Sequence, residues 1–256
     1  MFAVYNRLFV YGDGVTTGPE AAPERPSERA DRAYQSIRTA IIESALPPDT
    51  RLGEEVLAAH YGVSRTLIRT VLARLVDDGL VDTGKGKSAR VAHPTQDEAR
   101  DAFAVRAALE REAIKALAAA SSPSAIAALR AHVAAERDAL ARGSAKSSAR
   151  LGGEFHIMLA LLTGNELLHR YASEVVSRTA LILSIYGRDI DQTVSIDEHA
   201  RLVEVLAAGD LAASLDLAER HLYTVEENTL HTPRSDNAVD LTSILSRYAF
   251  PPSLRS

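Results

Sequence analysis

The sequence predicts a mainly α-helical protein made of an N-terminal winged helix-turn-helix and a C-terminal antiparallel bundle of six or seven helices. Its 256 residues are enough for two domains of ordinary size, each with its own core. Alanine and leucine dominate and aromatic residues make up only 5%, so helix is favoured by intrinsic propensity. A glycine-rich turn between two short extended runs interrupts the helical pattern in the first half and predicts a β-hairpin there.

The N-terminal elements are predicted from local helix-start and helix-stop signals. Residues 1–30 are expected to form a flexible extension, because their later part is rich in Gly, Pro and Glu and has no apolar period. A helical pattern runs from Asp31 to about Ser44, where two prolines force a turn. The other elements of a domain over residues 31–93 are helices at 54–61 and 65–77 and a hairpin with strands at 80–83 and 88–92.

The pattern after Pro94 is helical, with breaks at glycines and at one Ser-Ser-Pro step. Short connections between consecutive helices favour an antiparallel bundle over residues 94–231. The tail, residues 232–256, is polar, and only its segment 241–250 has the composition of a docking helix. The predicted bundle helices are 96–120, 124–142, 146–163, 166–186, 194–208 and 211–230.

The stretch from Ala58 to Val71 has the spacing of a helix-turn-helix. Ala58 is small enough for two helices to cross closely, and Gly62 permits the left-handed conformation that a tight interhelical turn requires. Val63 is expected to fill the turn. The next helix carries an apolar stripe at i, i+3, i+4 and i+7 that seats it on the core, namely Ile68, Val71, Leu72 and Leu75.

The opposite side of this helix is polar at its N-terminal end, which in a recognition helix contacts base edges in the major groove. Arg65 and Arg69 are one turn apart, so their guanidinium groups suit a guanine edge or a phosphate. The hairpin adds a wing with Lys85 at its tip. A merely solvated face is the alternative, but the complete spacing favours a DNA-binding surface that also includes Ser64 and Thr66.

The charge distribution is compatible with a nucleic-acid partner despite a net charge of −5. Residues 1–93 contain 12 basic and 12 acidic side chains, and the remaining 163 residues contain 17 and 22, so the acidic excess lies in the C-terminal part. Between Arg65 and Arg90 there are six basic and three acidic residues. A local basic surface on an acidic protein suits a small DNA-reading domain attached to a larger domain that does not contact the phosphates.

The run from Leu52 to Leu75, followed by residues 78–81 (DGLV) and the glycine-bearing wing, resembles the GntR family of bacterial regulators. Two departures are Leu67, where a proline is common, and Glu55, where some relatives have an arginine that contacts DNA. The resemblance implies DNA contacts from Ser64, Arg65, Thr66, Arg69, Lys85 and Gly86.

The second half resembles the FadR-like branch of that family, whose FCD domain is a ligand-sensing bundle of six or seven helices. The order and spacing of several short pieces carry this resemblance over about residues 97–230. It implies that residues 94–231 sense a ligand and dimerise. The pieces are 105–110 (VRAALE), 154–156 (EFH), 164–165 (GN), 198–199 (EH) and 209–210 (GD) leading to His221.

Three histidines, His156, His199 and His221, lie near the apolar faces of three predicted helices. Each alone fits a satisfied core histidine, whereas three converging imidazoles bind a divalent ion. The resemblance implies a metal at these positions, held together with an aspartate four residues before His156. The chain has Gly152 there, and Glu154 points to nearly the opposite side of the helix. If a metal binds, zinc or nickel would best suit the remaining nitrogen ligands.

Arg106 precedes Glu110 by one helical turn. The two residues suit a solvent-exposed ion pair, which contributes little to stability. The resemblance instead places Arg106 in the ligand pocket, where its guanidinium binds the carboxylate of an effector.

We therefore expect a homodimeric, cytoplasmic repressor that binds a pseudo-palindromic DNA operator and is released by a small carboxylate effector. We expect no membrane span, no secretory signal and no enzymatic activity, and the chain has no cysteine. Two alternatives stay open: a metal-dependent hydrolase fused to a DNA-binding head, and a dimerisation scaffold without a ligand. Neither H-E-x-x-H nor G-x-S-x-G occurs, which disfavours the hydrolase.

Overall fold

The structure, a computed structural model, describes residues 25–83, 88–120, 122–187, 191–230 and 245–246. Within these ranges it has nine long helices and one two-stranded antiparallel sheet. This confirms the predicted fold class. The elements are α1 (Pro26–Ile42), α2 (Glu54–Tyr61), α3 (Arg65–Asp77), β1 (Val81–Asp82), β2 (Arg90–Val91), α4 (Gln96–Ala120), α5 (Pro123–Ala141), α6 (Ala145–Leu162), α7 (Glu166–Tyr186), α8 (Gln192–Ala207) and α9 (Leu211–Thr229).

Helix α1 begins earlier than the sequence predicts. Pro26 lies in its first turn, where the fixed φ of proline suits a helix and no backbone donor is lost. Glu28 accepts a hydrogen bond from the backbone N of Arg25 at 3.0 Å and so caps the helix start. The predicted start at Asp31 is therefore wrong, and residues 26–30 are helical; residues 1–24 lie outside the described ranges.

The first core lies between α1, α2, α3 and the hairpin. Gly62 turns the chain between α2 and α3 with a φ of 62°, and the N–H of Val63 donates to Ala58 O at 3.1 Å. The strands pair Val81 with Val91 in an antiparallel register. The whole predicted stripe of α3 is buried, and the residues with 0% exposure in this core include Ile37, Ile41, Leu57, Ile68 and Leu75.

The second core fills the bundle formed by α4 to α9. Helix α6 is central, because it packs against α4, α5, α7 and α8. Its residues Phe155, Met158 and Leu159 are completely buried. The bundle helices agree with the predicted bounds to within two residues at each end. In the described part of the chain, no helix is both long enough and apolar enough to cross a membrane.

The two domains meet where α1 packs against α7. Arg38 on α1 donates to Ser177 Oγ on α7 at 3.1 Å, and Leu181 of α7 joins the first core. Leu245, from the segment predicted as a docking helix, is helical and also buried in the first core. Residues 241–244 and 247–250 of that segment lie outside the described ranges.

Replacing Gly62 by alanine should destabilise the protein by roughly 1–2 kcal/mol, because an L side chain disfavours the left-handed backbone. The added Cβ would lie 3.6 Å from Arg29 Nη1, an ordinary contact, so the cost is conformational. Gly53→Ala is the matched control, since Gly53 has a φ of −71°. Urea-unfolding midpoints measure the difference, and equal midpoints for the two variants would contradict this assignment.

Candidate functional site

The predicted DNA-reading face (Ser64, Arg65, Thr66 and Arg69) lies at the exposed N-terminal end of α3. Ser64 is the N-cap, and its Oγ accepts from Leu67 N at 3.3 Å. The Arg65 and Arg69 side chains are 60% and 62% exposed. The face is therefore open to a partner. The predicted wing contacts Lys85 and Gly86 lie outside the described residues.

Glu54, at the start of α2, organises the two arginines of this face and was not predicted. Its Oε2 lies 2.9 Å from Arg69 Nε and 3.6 Å from Arg65 Nη2. One carboxylate thus holds two guanidinium groups side by side. Because these ion pairs are largely solvent-exposed, little free energy is needed to break them when the arginines bind a phosphate or a base edge instead.

The three predicted histidines meet inside the bundle and form what we call the histidine centre: His156 on α6, His199 on α8 and His221 on α9. Each is at most 6% exposed. Their potential ligand atoms lie within 4.8 Å of one another, and Nε2 of His199 is 3.3 Å from Nε2 of His221. The structure therefore brings together residues that are 22 or more positions apart in the sequence.

A carboxylate lies behind each of these imidazoles, on the Nδ1 side of the ring. None of the three carboxylates was predicted in this role, although Glu110 was singled out beside Arg106. This arrangement leaves Nε2 of each ring for a ligand and is the outer-shell pattern of metal-binding histidines. The pairs are His156 with Glu110 Oε2 at 3.0 Å, His199 with Glu136 Oε2 at 2.9 Å and His221 with Glu198 Oε2 at 2.6 Å.

Burial determines the protonation of two of the rings. It lowers the pKa of His156 and of His199 well below the ordinary value, so both rings are neutral, the form that binds metals. Burial alone would raise the pKa of Glu110, but the charge of the neighbouring Arg106 guanidinium holds this pKa below its usual range.

The histidine centre could hold a metal, and one pair of its nitrogens has the separation of two ligands of one ion. Two nitrogens that each lie 2.0–2.1 Å from a tetrahedral ion are about 3.3 Å apart, which is the separation of the two Nε2 atoms. The expected aspartate is absent: a Cβ on Gly152 would lie 3.6 Å from both Glu136 Oε2 and His199 Cε1. Position 152 therefore faces the centre but supplies no ligand.

A cavity of about 190 Å³ adjoins the histidine centre and is lined by all three histidines, Arg106 and Gly152. Arg106 is 3% exposed, and it donates to Glu110 Oε1 at 2.6 Å and to Thr179 Oγ1 at 3.1 Å. The surface ion pair considered for Arg106 is therefore wrong, because α4 packs against α7 and α9 and Arg106 is buried there. The cavity presents a buried cation at its wall.

The end of α1 forms another part of the cavity wall, through Ile42, Glu43 and Ser44. Glu43 Oε1 lies 3.2 Å from Arg150 Nε, and Arg150 Nη1 lies 2.7 Å from Glu154 Oε1. Glu154 in turn lies 3.7 Å from Arg38 on α1. We call these four residues the junction cluster; it connects the two domains and is almost completely buried. Glu154 thus pairs with the two arginines of this cluster.

Comparisons with known proteins cover both domains. Residues 29–91 match the bacterial regulatory proteins of the gntR family, and residues 101–224 match the FCD domain. The Nta operon transcriptional regulator of Aminobacter aminovorans is 32% identical over 165 residues, which cover 62% of this chain and 75% of that protein. This chain belongs to the GntR family. It is a DNA-binding transcriptional regulator with an FCD effector-binding domain.

Solved structures of other GntR proteins share the fold. A GntR regulator from Rhodococcus sp. RHA1 has a TM-score of 0.69 at 22% identity and covers 80% of this chain and 99% of its own. McbR/YncC of E. coli has a TM-score of 0.67 at 18% identity and covers 77% of this chain and 94% of its own. These relatives support neither the hydrolase alternative nor the scaffold without a ligand.

Arg65→Ala should weaken binding to the operator by roughly 10- to 100-fold, because one base-edge or phosphate contact is lost. Arg130→Ala is the matched control; it removes the same charge from an exposed ion pair in the bundle. Fluorescence anisotropy with DNA from beside the regulator's own gene measures both. If the Arg65→Ala variant bound the operator as tightly as the wild type, Arg65 would not be a DNA contact.

Proposed function

We propose that this regulator is a dimeric repressor that a small organic acid releases from its operator. The observation that carries the proposal is the cavity, because the histidine centre, Arg106 and the last residues of α1 all line it. A ligand in that space touches the sensing groups and the DNA-binding domain at once. No relay over a long distance is needed for the two sites to be coupled.

The DNA side of the proposal is supported by the exposed end of α3. One such helix from each subunit would enter the major groove of one half-site, so that a homodimer reads a pseudo-palindrome. Ser64, Arg65, Thr66 and Arg69 would contact the DNA, with Lys85 and Gly86 of the wing at the backbone. A regulator that acts on chromosomal DNA works in the cytoplasm, where we place it.

The sensing side of the proposal is a divalent metal, zinc or nickel, at the histidine centre. Three imidazoles supported by carboxylates suit either ion. A bound ion supplies positive charge that attracts the carboxylate of an effector. Arg106, whose guanidinium is held between Glu110 and Thr179, would orient the same group or a second one. The cavity of about 190 Å³ suits a small organic acid.

The junction cluster supports a specific route for the coupling. Arg150 lines the cavity and holds Glu43, the C-cap residue of α1. An anionic effector would compete with Glu43 for Arg150, and the end of α1 would lose its ionic link to α6. The DNA-binding domain would then be freer to move relative to the bundle, and the spacing of the two recognition helices in the dimer would change.

Purified protein should contain a single divalent ion per chain at the histidine centre. His156→Ala, His199→Ala and His221→Ala should each remove it, because every substitution deletes one of the three nitrogen donors. His169→Ala on α7, outside the centre, is the matched control. Elemental analysis by mass spectrometry measures the content, and full occupancy in the three variants would refute a metal at this site.

Glu43→Gln should uncouple the effector from the operator. With the wild-type chain, an active carboxylate is expected to lower operator affinity roughly 5- to 150-fold. The variant should bind the operator more weakly than the wild type even without effector, and the effector should change its operator affinity much less, because a neutral amide holds Arg150 weakly. Glu204→Gln, an exposed carboxylate paired with Arg130, is the control. Operator affinities with and without acetate, lactate and citrate supply the ratios.

If no such carboxylate alters wild-type operator affinity, the proposed effector class is wrong. If Glu43→Gln responds as strongly as the wild type, the effector stands but the junction cluster is not its route to the DNA-binding domain.

A further inference from the structure

A metal at the histidine centre would be held by three neutral imidazoles, without the carboxylate that Gly152 fails to supply. We propose that Glu136 provides the missing negative charge, acting through His199. This rests on the metal centre of the proposed function and deepens it, since it names the residue that sets metal affinity in this chain.

The first support is position. Glu136 lies on α5 and is 1% exposed. Its Oε2 is 2.9 Å from His199 Nδ1 and 3.6 Å from the point where a Cβ on residue 152 would lie. The carboxylate is therefore beside the place where an aspartate side chain would begin. The Glu136 carboxylate, which comes from α5, therefore lies close to the space that an aspartate at position 152 would occupy.

The second support is the incomplete pairing of this carboxylate. Glu110 is matched by Arg106 at 2.6 Å, and the side chain of Glu198 is 36% exposed to water. Glu136 has neither compensation: in the described part of the chain its ion-pair partners are His132 and His199 only. Its Oε1 is buried and makes no hydrogen bond to a described residue.

Burying a carboxylate without a cationic partner costs free energy, and a dication bound beside it offsets that cost. A metal bound nearby would therefore explain why a carboxylate is buried at position 136. With Nε2 of His199 facing the ion, Nδ1–H donates to Glu136, which strengthens the imidazole as a ligand and offsets part of the ion's charge. Glu136 is in this sense a positioning residue and not itself a ligand.

Zinc affinity of the full chain, measured by competition with a chromophoric chelator, tests the proposal. Glu136→Gln keeps the size and a hydrogen-bond acceptor and removes only the charge; it should weaken zinc binding by roughly 10- to 100-fold. Glu136→Asp keeps the charge and should weaken zinc binding less than Glu136→Gln does. Glu154→Gln removes a buried carboxylate that pairs with Arg150 instead of a histidine, and it should leave zinc affinity unchanged.

Gly152→Asp makes the test specific for the missing charge. The nearest atoms to the new Cβ are Glu136 Oε2 and His199 Cε1, each 3.6 Å away, so the Cβ makes only ordinary contacts. In the Glu136→Gln background it should restore most of the lost affinity, whereas in the wild-type background it should add little, because the charge is already present. Additive effects of the two substitutions would contradict the proposal.

Stability without metal separates this role from simple packing. Metal-free Glu136→Gln should unfold at the same temperature as the metal-free wild type or higher, because an unpaired buried carboxylate is removed. Added zinc should then raise its Tm less than it raises that of the wild type. A lower metal-free Tm with an undiminished rise on zinc addition would assign Glu136 to packing alone and overturn the proposal.

The two levels of the hypothesis fail differently. A wild-type chain that binds no zinc refutes the metal centre, and the role of Glu136 with it. A wild-type chain that binds zinc, but no more tightly than Glu136→Gln does, refutes only the role of Glu136.

Discussion

The convergence of three buried imidazoles is the constraint on which the rest of the bundle depends. Burying polar ring nitrogens costs free energy unless polar partners lie near them. Carboxylates from α4, α5 and α8 lie within 3.0 Å of Nδ1 of the three rings, although Nδ1 of His156 makes no hydrogen bond to a described residue. The rings also form part of the cavity wall, so the same arrangement brings their nitrogens to the cavity.

The same cavity reaches the DNA-binding domain because α1 ends against the bundle. The junction cluster there contains two arginines and two glutamates, so its charges balance inside a nearly dry interface. A buried ion pair of this kind adds little net stability while it is intact. If a ligand binds one partner, the other is left as an unpaired buried charge, which is strongly destabilising. Such a cluster can hold two domains together and still respond to an anion.

Much of the fold was predictable because its signals are local. Helix ends in the bundle follow glycines and a Ser-Pro step, and the stripe of α3 follows the helical period. The start of α1 was missed because the Arg25–Glu28 cap looks like part of a polar linker in composition. Glu54 was missed as well, although an acidic first turn just before a basic recognition helix was a usable signal.

By itself, the sequence determined which segments are helical, which face of α3 is polar and which three histidines occupy inward positions. Only the tertiary structure decided that Arg106 is buried, that Glu43 meets Arg150, and that Glu136 stands beside the space over Gly152. The reason is physical: periodicity and capping act within a few residues, whereas these contacts join helices far apart in the chain. Their register is set by the packing of the whole bundle.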